Sequence, residues 1–176
     1  MREFWGGLTI VACLLLAACA TPSFPEQQGS VFSIAVPESR LILEFPSQGF
    51  RLEVADNKTP YYYLSNEHTK LNVSFSFERT AKCNSSESCR DYFANGLKAA
   101  DASRKGWHIS RIGDVFVSES MGIPAGDMGQ KQRHMNAHFV KDGVWINVRL
   151  SKVDYQEADR ELLVSFVRSI QFWKKS

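Results

Sequence analysis

The sequence predicts an α+β domain in which an antiparallel sheet carries two long helices. Short segments alternate apolar and polar residues, most strictly over residues 71–77, as half-buried strands do. Two longer segments, 86–103 and 154–172, repeat apolar residues at helical spacing. Asp142-Gly143 lies between two alternating segments and is typical of a two-residue hairpin turn. The order of strands, helix, strands, helix indicates an α+β arrangement.

The first half of the domain is predicted to consist of strands. Segments 31–36 and 41–45 come first, and Phe50, Leu52 and Val54 then alternate on one face of the next strand. A short aromatic strand follows, in which Tyr62 faces opposite to its two neighbours. We expect two core tyrosines and one exposed one at 61–63. The alternative is a recognition patch, because tyrosines are enriched at interfaces.

The second half is predicted to begin with the helix 86–103, which Ser85 or Ser86 caps. Strand segments 107–112 and 115–119 follow, joined by a hairpin turn or a bulge at Gly113-Asp114. A long loop over 121–130 leads into the hairpin of 131–140 and 144–150. Asp154 then opens a capping box for the last helix, which runs to about residue 172. The tryptophans of the domain are expected in core or edge packing.

The late hairpin predicts a polar face. A two-residue turn at Asp142-Gly143 fixes the register, which places Asn136 opposite Arg149 and His138 opposite Asn147. The intervening residues form the apolar face. A solvated or helix-covered sheet face explains the four polar residues most simply. As a functional alternative, they form a candidate surface for a ligand or a partner.

Metal binding and catalysis are not predicted. His134 and His138 share a strand face but lie about 13 Å apart, too far for one metal ion, and a zinc site needs at least three ligands. No serine lies in a nucleophile-elbow motif, and no glycine-rich phosphate loop is present. We therefore predict no enzyme activity, no metal and no cofactor. The net charge of +2 gives no argument for nucleic acid.

Two cysteines of the domain, Cys83 and Cys89, are predicted to form a disulfide. Five residues separate them, which is not a Cys-x-x-Cys redox motif, and no histidine lies nearby in sequence. The short loop limits the chain-entropy stabilisation to about 2 kcal/mol. The bond would pin a loop onto the start of the first helix.

The first residues define a location. The sequence Leu16-Ala17-Ala18-Cys19 closes an apolar stretch that is too short to span a bilayer. It resembles the lipobox of bacterial lipoprotein signal peptides, which implies cleavage before Cys19 and acylation of its thiol. An ordinary secretory signal is the alternative. Ala20 is not aspartate, which by analogy with Gram-negative sorting favours the periplasmic face of the outer membrane. We expect a signal peptide at 1–18, a lipidated tether at 19–30 and one domain at 31–173.

The element order resembles the PsbP/DcrB-like family of α/β/α sandwiches. The opening strand pair ending in residues 43–52, the strand 71–77 before the first helix and the late hairpin before the last helix carry this resemblance. It implies a non-enzymatic role, because the members compared are assembly factors, chaperones or envelope lipoproteins.

We therefore expect a membrane-anchored envelope lipoprotein that binds or assembles another envelope component. One alternative is a periplasmic module for a small ligand or metal, or a weak hydrolase. Another is an immunity or stress lipoprotein that neutralises a toxin.

Overall fold

The structure is a computed structural model that describes residues 26–56, 61–100, 107–122 and 131–175. The predicted signal peptide, including Cys19, and most of the predicted long loop lie outside the described residues. The elements are β1 (Glu26–Gln28), β2 (Val31–Ala35), β3 (Leu41–Pro46), β4 (Arg51–Asp56), β5 (Tyr61–Asn66), β6 (Leu71–Arg79), α1 (Ser86–Ala100), β7 (His108–Ile112), β8 (Val115–Gly122), β9 (Gln132–Lys141), β10 (Val144–Val153), α2 (Arg160–Ser169) and β11 (Gln171–Lys174).

The strands form two antiparallel sheets. The large sheet has seven strands in the order β4-β5-β6-β10-β9-β8-β7, and the small sheet has the order β1-β2-β3-β11. Helix α1 packs on one face of the large sheet, against β8 and β9. Helix α2 and the small sheet cover the opposite face, where the hydrophobic core lies. The fold is thus mixed α/β as predicted, but sheets dominate it, and α1 and α2 have only 15 and 10 residues.

Aromatic side chains join the layers of the core. Phe45 of β3 stacks on Phe32 of β2 and on Phe75 of the large sheet, with ring centroids 5.6 and 4.9 Å apart. Phe166 of α2 packs on Phe45 at 5.5 Å and on Phe50 at the same distance. Such pairs add about 1 kcal/mol each beyond the area that they bury. Phe166 therefore anchors α2 to the aromatic cluster that joins the two sheets.

A buried ion cluster lies at the edge of this core. Glu119 of β8 is fully buried and accepts hydrogen bonds of 2.7 Å from both Arg133 and Arg160. Burial opposes the charge of Glu119, but the hydrogen bonds from Arg160 and Arg133 outweigh it, so the pKa of Glu119 lies below its ordinary value. The cluster ties the first turn of α2 to the large sheet.

The late hairpin has the predicted register. Lys141 pairs with Val144 across the Asp142-Gly143 turn, and both turn residues have positive φ, as a type I′ turn requires. Strand β6 also alternates as predicted, and its apolar residues are buried in the core. Gly113 and Asp114 form the predicted hairpin turn between β7 and β8.

The prediction of the last helix is wrong at both ends. Asp154 has a φ of 55° and an ion pair with Lys70, so it does not cap the helix. The backbone N–H of Gln156 instead donates to Asp159 at 2.8 Å, and a short 3₁₀ turn at Glu157–Asp159 leads into α2. The helix ends at Ser169, because Ile170 adopts an extended conformation. The next four residues form strand β11, which pairs with β3.

Two smaller predictions also differ from the structure. Residues 26–28, expected in the tether, form β1 and pair with β2, so strand pairing begins before residue 31. A register shift between Leu52 and Val54 interrupts the predicted alternation of β4. This bulge turns Val54 away from the core, and its side chain is 46% exposed.

Candidate functional site

The outer face of the large sheet is only partly covered by helix α1. The helix lies over β8 and β9, and beside it the sheet faces a polar groove of about 300 Å³. The groove lies over β5, β6 and β10, and the aromatic ring of a helix residue forms one wall. Its lining residues are Tyr61, Tyr63, Asn72, Ser74, Ser76, Phe93, Asn147, Arg149 and Ser151. We call this surface the polar groove.

Strict alternation in two neighbouring strands creates the floor of the groove. The residues that face the core are apolar in both β6 and β10, so their polar neighbours point together to the outer face. Ser76 lies opposite Asn147, Ser74 opposite Arg149, and Ser151 opposite an asparagine. Short serine side chains thus lie beside longer asparagine and arginine side chains of the neighbouring strand. The floor is therefore lowest at the serines, and it is rich in hydrogen-bonding groups.

Two tyrosines form the opposite wall, which the sequence prediction placed differently. Tyr62 is 1% exposed in the core, whereas Tyr61 and Tyr63 lie on the outer face opposite Ser76 and Ser74. The expectation of two core tyrosines is therefore wrong, because the register of β5 on β6 aligns Tyr62 with Phe75. Partial burial, together with the nearby Tyr61, raises the pKa of Tyr63, so its hydroxyl remains a donor at neutral pH.

Of the four residues in the candidate partner surface, two line the groove. Asn147 and Arg149 are half-buried lining residues. His138 is fully buried beneath α1, and Asn136 is 3% exposed, so neither belongs to the accessible surface. The side-chain carbonyl oxygens of Asn136 and Asn147 are buried and have no hydrogen-bond partner among the described residues. The predicted face thus divides into a helix-covered half and an open half.

The buried His138 has a structural role under α1. Its ring packs against Phe93 and Trp145, with centroids 5.2 and 5.9 Å apart. Trp145 donates its indole N–H to Nδ1 at 3.4 Å, which assigns the proton to Nε2, 3.4 Å from the Ser118 hydroxyl. The imidazole cannot accept a proton from Ser118 in this tautomer. Burial, with a smaller effect of Arg90, lowers the pKa of His138 to about 3.

A second serine–histidine pair lies at the end of the groove. The Ser151 hydroxyl is 2.8 Å from Nδ1 of His134, and Nη2 of Arg149 is 3.4 Å from the same nitrogen. A general base acting on Ser151 would leave a positive charge on His134 beside this guanidinium, which is unfavourable. The pair therefore supplies hydrogen bonds and orientation for Arg149 rather than an activated nucleophile.

Helix α1 is held on the sheet by covalent and polar contacts at its start. The predicted disulfide between Cys83 and Cys89 is formed, and both residues pack against Trp145. The Ser86 hydroxyl donates to the His138 carbonyl and accepts the backbone N–H of Phe116 at 3.0 Å. These contacts position the helix wall of the groove.

Within the described residues, no group of three metal-ligating side chains comes together, and neither helix has the length and apolar character needed to cross a membrane.

Comparison with known proteins shows the fold but no family. No protein-family model matches the chain, and no curated protein does so either. The structure of Mog1p, the Ran-binding protein of Saccharomyces cerevisiae, is similar with a TM-score of 0.51 and 10% identity, over 79% of this chain and 93% of Mog1p.

Two bacterial structures are similar to the same degree. Cyanobacterial PsbP (CyanoP) from Synechocystis sp. PCC 6803 has a TM-score of 0.51 and 11% identity, over 90% of this chain and 99% of CyanoP. A protein from Bacteroides thetaiotaomicron VPI-5482 has a TM-score of 0.52 and 14% identity, over 84% of this chain and 50% of that protein. The predicted PsbP-like fold is thus confirmed, while the low identities show the fold alone.

Proposed function

We propose that this chain is a membrane-anchored lipoprotein of the bacterial envelope that binds or assembles another envelope protein and has no enzyme activity. The observation that carries the proposal is the polar groove, in which Tyr61, Tyr63, Asn147 and Arg149 converge beside α1. Such a concave site on rigid strands suits binding, and its serine–histidine pair lacks the arrangement of a hydrolase.

The chemistry of the groove favours a protein as the occupant. Tyrosine and arginine are among the residues most enriched at binding hot spots, since they combine contact area with hydrogen bonding. Serine and asparagine side chains can pair with the main-chain groups of a partner segment. The similarity to the Ran-binding protein Mog1p supports this use of the fold, because that protein binds another protein.

The anchoring part of the proposal comes from the lipobox-like sequence ending in Cys19. Two or more acyl chains on this residue would hold the protein on the membrane permanently. The Cys83–Cys89 disulfide agrees with an exported domain, because such bonds persist in oxidising compartments. We propose that the domain lies at the periplasmic face of the outer membrane.

A cross-linked pull-down from native membranes tests both parts. Wild-type protein is expected to capture one dominant envelope protein, and Arg149→Glu is expected to reduce capture at least tenfold because it inverts the charge of the groove. Arg168→Glu is the matched control, since Arg168 is an exposed arginine of α2 outside the groove. Thermal unfolding of each variant shows that the domain remains folded.

The Cys19→Ser variant tests the anchor in the same preparation. It is expected to leave the membrane fraction or to stay unprocessed. Unchanged membrane association and processing would contradict the lipoprotein assignment, whereas equal capture by Arg149→Glu and wild type would contradict the assignment of the groove.

A small-ligand module is the second candidate. The polar lining of the groove and its volume of about 300 Å³, at the lower end for ligand pockets, favour it. It predicts that the folded, anchored wild type captures no protein partner.

A further inference from the structure

A large aromatic side chain is exposed on the outer face of the small sheet. Trp173 of edge strand β11 is 53% exposed. It pairs with Ile42, which pairs with Ala35, so the three residues form one row across the sheet. Ala35 is also exposed and Ile42 is half-buried. The row is apolar and faces away from the core.

Basic residues surround this end of the small sheet. Arg40, Lys174 and Lys175 are all exposed, and the backbone N–H of Lys175 donates to the Arg40 carbonyl at 2.7 Å. This hydrogen bond holds the end of β11 beside the start of β3. The region therefore combines an exposed tryptophan with basic side chains, of which Lys174 points to the other face of the sheet because it follows Trp173 in the strand.

Two acidic side chains of the described residues lie in the same region. Glu44 lies one row further along the sheet and accepts a hydrogen bond from Ser33 at 3.1 Å. Glu38 pairs with Arg79 at 2.6 Å. Because the ion pair balances the charge of Glu38, the exposed Arg40 and Lys175 outnumber Glu44 among the side chains described here, and the balance of charge is positive.

The first strand of the small sheet, β1, begins at the side of the sheet nearest the Trp173 row. Glu26 pairs with Ser33 and Gln28 with Val31, so the N-terminal end of β1 points in the direction of Ala35. Six residues lie between Cys19 and Glu26, so seven Cα-to-Cα steps join the two. A chain of that length reaches at most about 25 Å. An acylated Cys19 would therefore hold this end of the domain close to the bilayer.

We propose that the Trp173 end of the small sheet rests on the surface of the lipid bilayer. The inference deepens the proposed function, since it depends on the acylation of Cys19. Trp173 would insert at the headgroup level, where tryptophan is enriched in membrane proteins. Arg40 and Lys175 would lie against anionic lipid phosphates, which attract exposed basic residues.

Fluorescence quenching by lipid tests this contact. The full-length acylated protein is reconstituted into phosphatidylethanolamine–phosphatidylglycerol vesicles, with or without bromine on the acyl chains near the headgroups. We expect bromine to quench about a third of the tryptophan emission, because Trp173 is one of three tryptophans after residue 18. Trp173→Phe should abolish this quenching, and the matched control Trp107→Phe should retain it.

Flotation of the vesicles separates the two possible failures. Protein that floats in a Cys19-dependent manner but is not quenched, or is quenched equally after Trp173→Phe, overturns the proposed contact and leaves the anchor intact. Cross-linking of two copies through residue 173 without quenching overturns it in favour of a second chain on this face. Protein that does not float contradicts the anchor and, with it, this proposal.

Discussion

At the scale of single residues, His138 shows how the α1 face is organised. Its neutral imidazole accepts a hydrogen bond from the Trp145 indole N–H and packs against the ring of Phe93. Because burial lowers its pKa to about 3, the folded protein keeps this side chain uncharged over the whole neutral range. A charged imidazolium would have to be accommodated beside Arg90, which is itself buried.

This burial predicts a loss of stability in mild acid. An imidazole in the unfolded chain binds a proton below about pH 6.5, whereas His138 in the folded chain does not until about pH 3. The contribution of His138 to the free energy of unfolding is therefore fully present above about pH 6.5 and decreases as the pH drops. Between pH 7 and 5 we expect His138 to account for a loss of about 2 kcal/mol.

Urea unfolding of wild type and His138→Phe at both pH values measures this contribution. Phenylalanine keeps the ring contacts but cannot titrate. The difference in unfolding free energy between pH 7 and 5 should be smaller in the variant by about 2 kcal/mol. An equal pH dependence in the two proteins would show that His138 is not responsible.

The sequence predicted which polar residues share a face but not which of them are accessible. The Asp142-Gly143 turn fixes the partners of Asn136 and His138, since a two-residue loop permits one register. Their burial depends on where α1 lies across the sheet, and this is set by long-range contacts that no local pattern encodes. Tyr61 was misplaced for the same reason, because its face depends on the register of β5 on β6.

At the scale of elements, local signals predicted the strands with strict alternation and missed those defined by distant partners. Strand β6 and the β9–β10 hairpin carry their own period and turn chemistry. Strand β11 has only four residues, and they continue the apolar spacing of α2. The segment is a strand because it pairs with the free edge of β3. The bulge in β4 likewise adjusts pairing with β5, and the alternation of β4 gives no sign of it.

The start of α1 supplies a prediction at this scale. Replacing both Cys83 and Cys89 with alanine is expected to lower the free energy of unfolding by about 2 kcal/mol, because the loop that the disulfide closes is short. Amide hydrogen exchange in the first turns of α1 should accelerate more than exchange in β10, since the disulfide holds the helix on Trp145.

Chemical reduction of the wild type provides the control and should reproduce both changes. Unaltered stability together with unaltered exchange in α1 would mean that the Ser86 contacts alone hold the helix.

At the scale of the whole molecule, the two proposed contact surfaces lie on opposite sides of the layered fold. The polar groove belongs to the face of the large sheet that carries α1, and Trp173 belongs to the outer face of the small sheet. A domain that rests on the bilayer through the small sheet would therefore present the groove away from the membrane, toward a partner. The sequence predicted the fold and part of the groove, but a binding partner leaves no pattern in a single chain.

Site-specific photo-cross-linking in native membranes tests the central claim most directly. A photoreactive phenylalanine is placed at Tyr61 in the groove and, as a matched control, at Tyr92, an exposed tyrosine of α1 that does not line the groove. We predict one dominant cross-linked envelope protein from position 61 and none from position 92. The same product from both positions, or no protein product from position 61 in the folded, membrane-bound protein, would contradict the claim that the groove binds a protein partner.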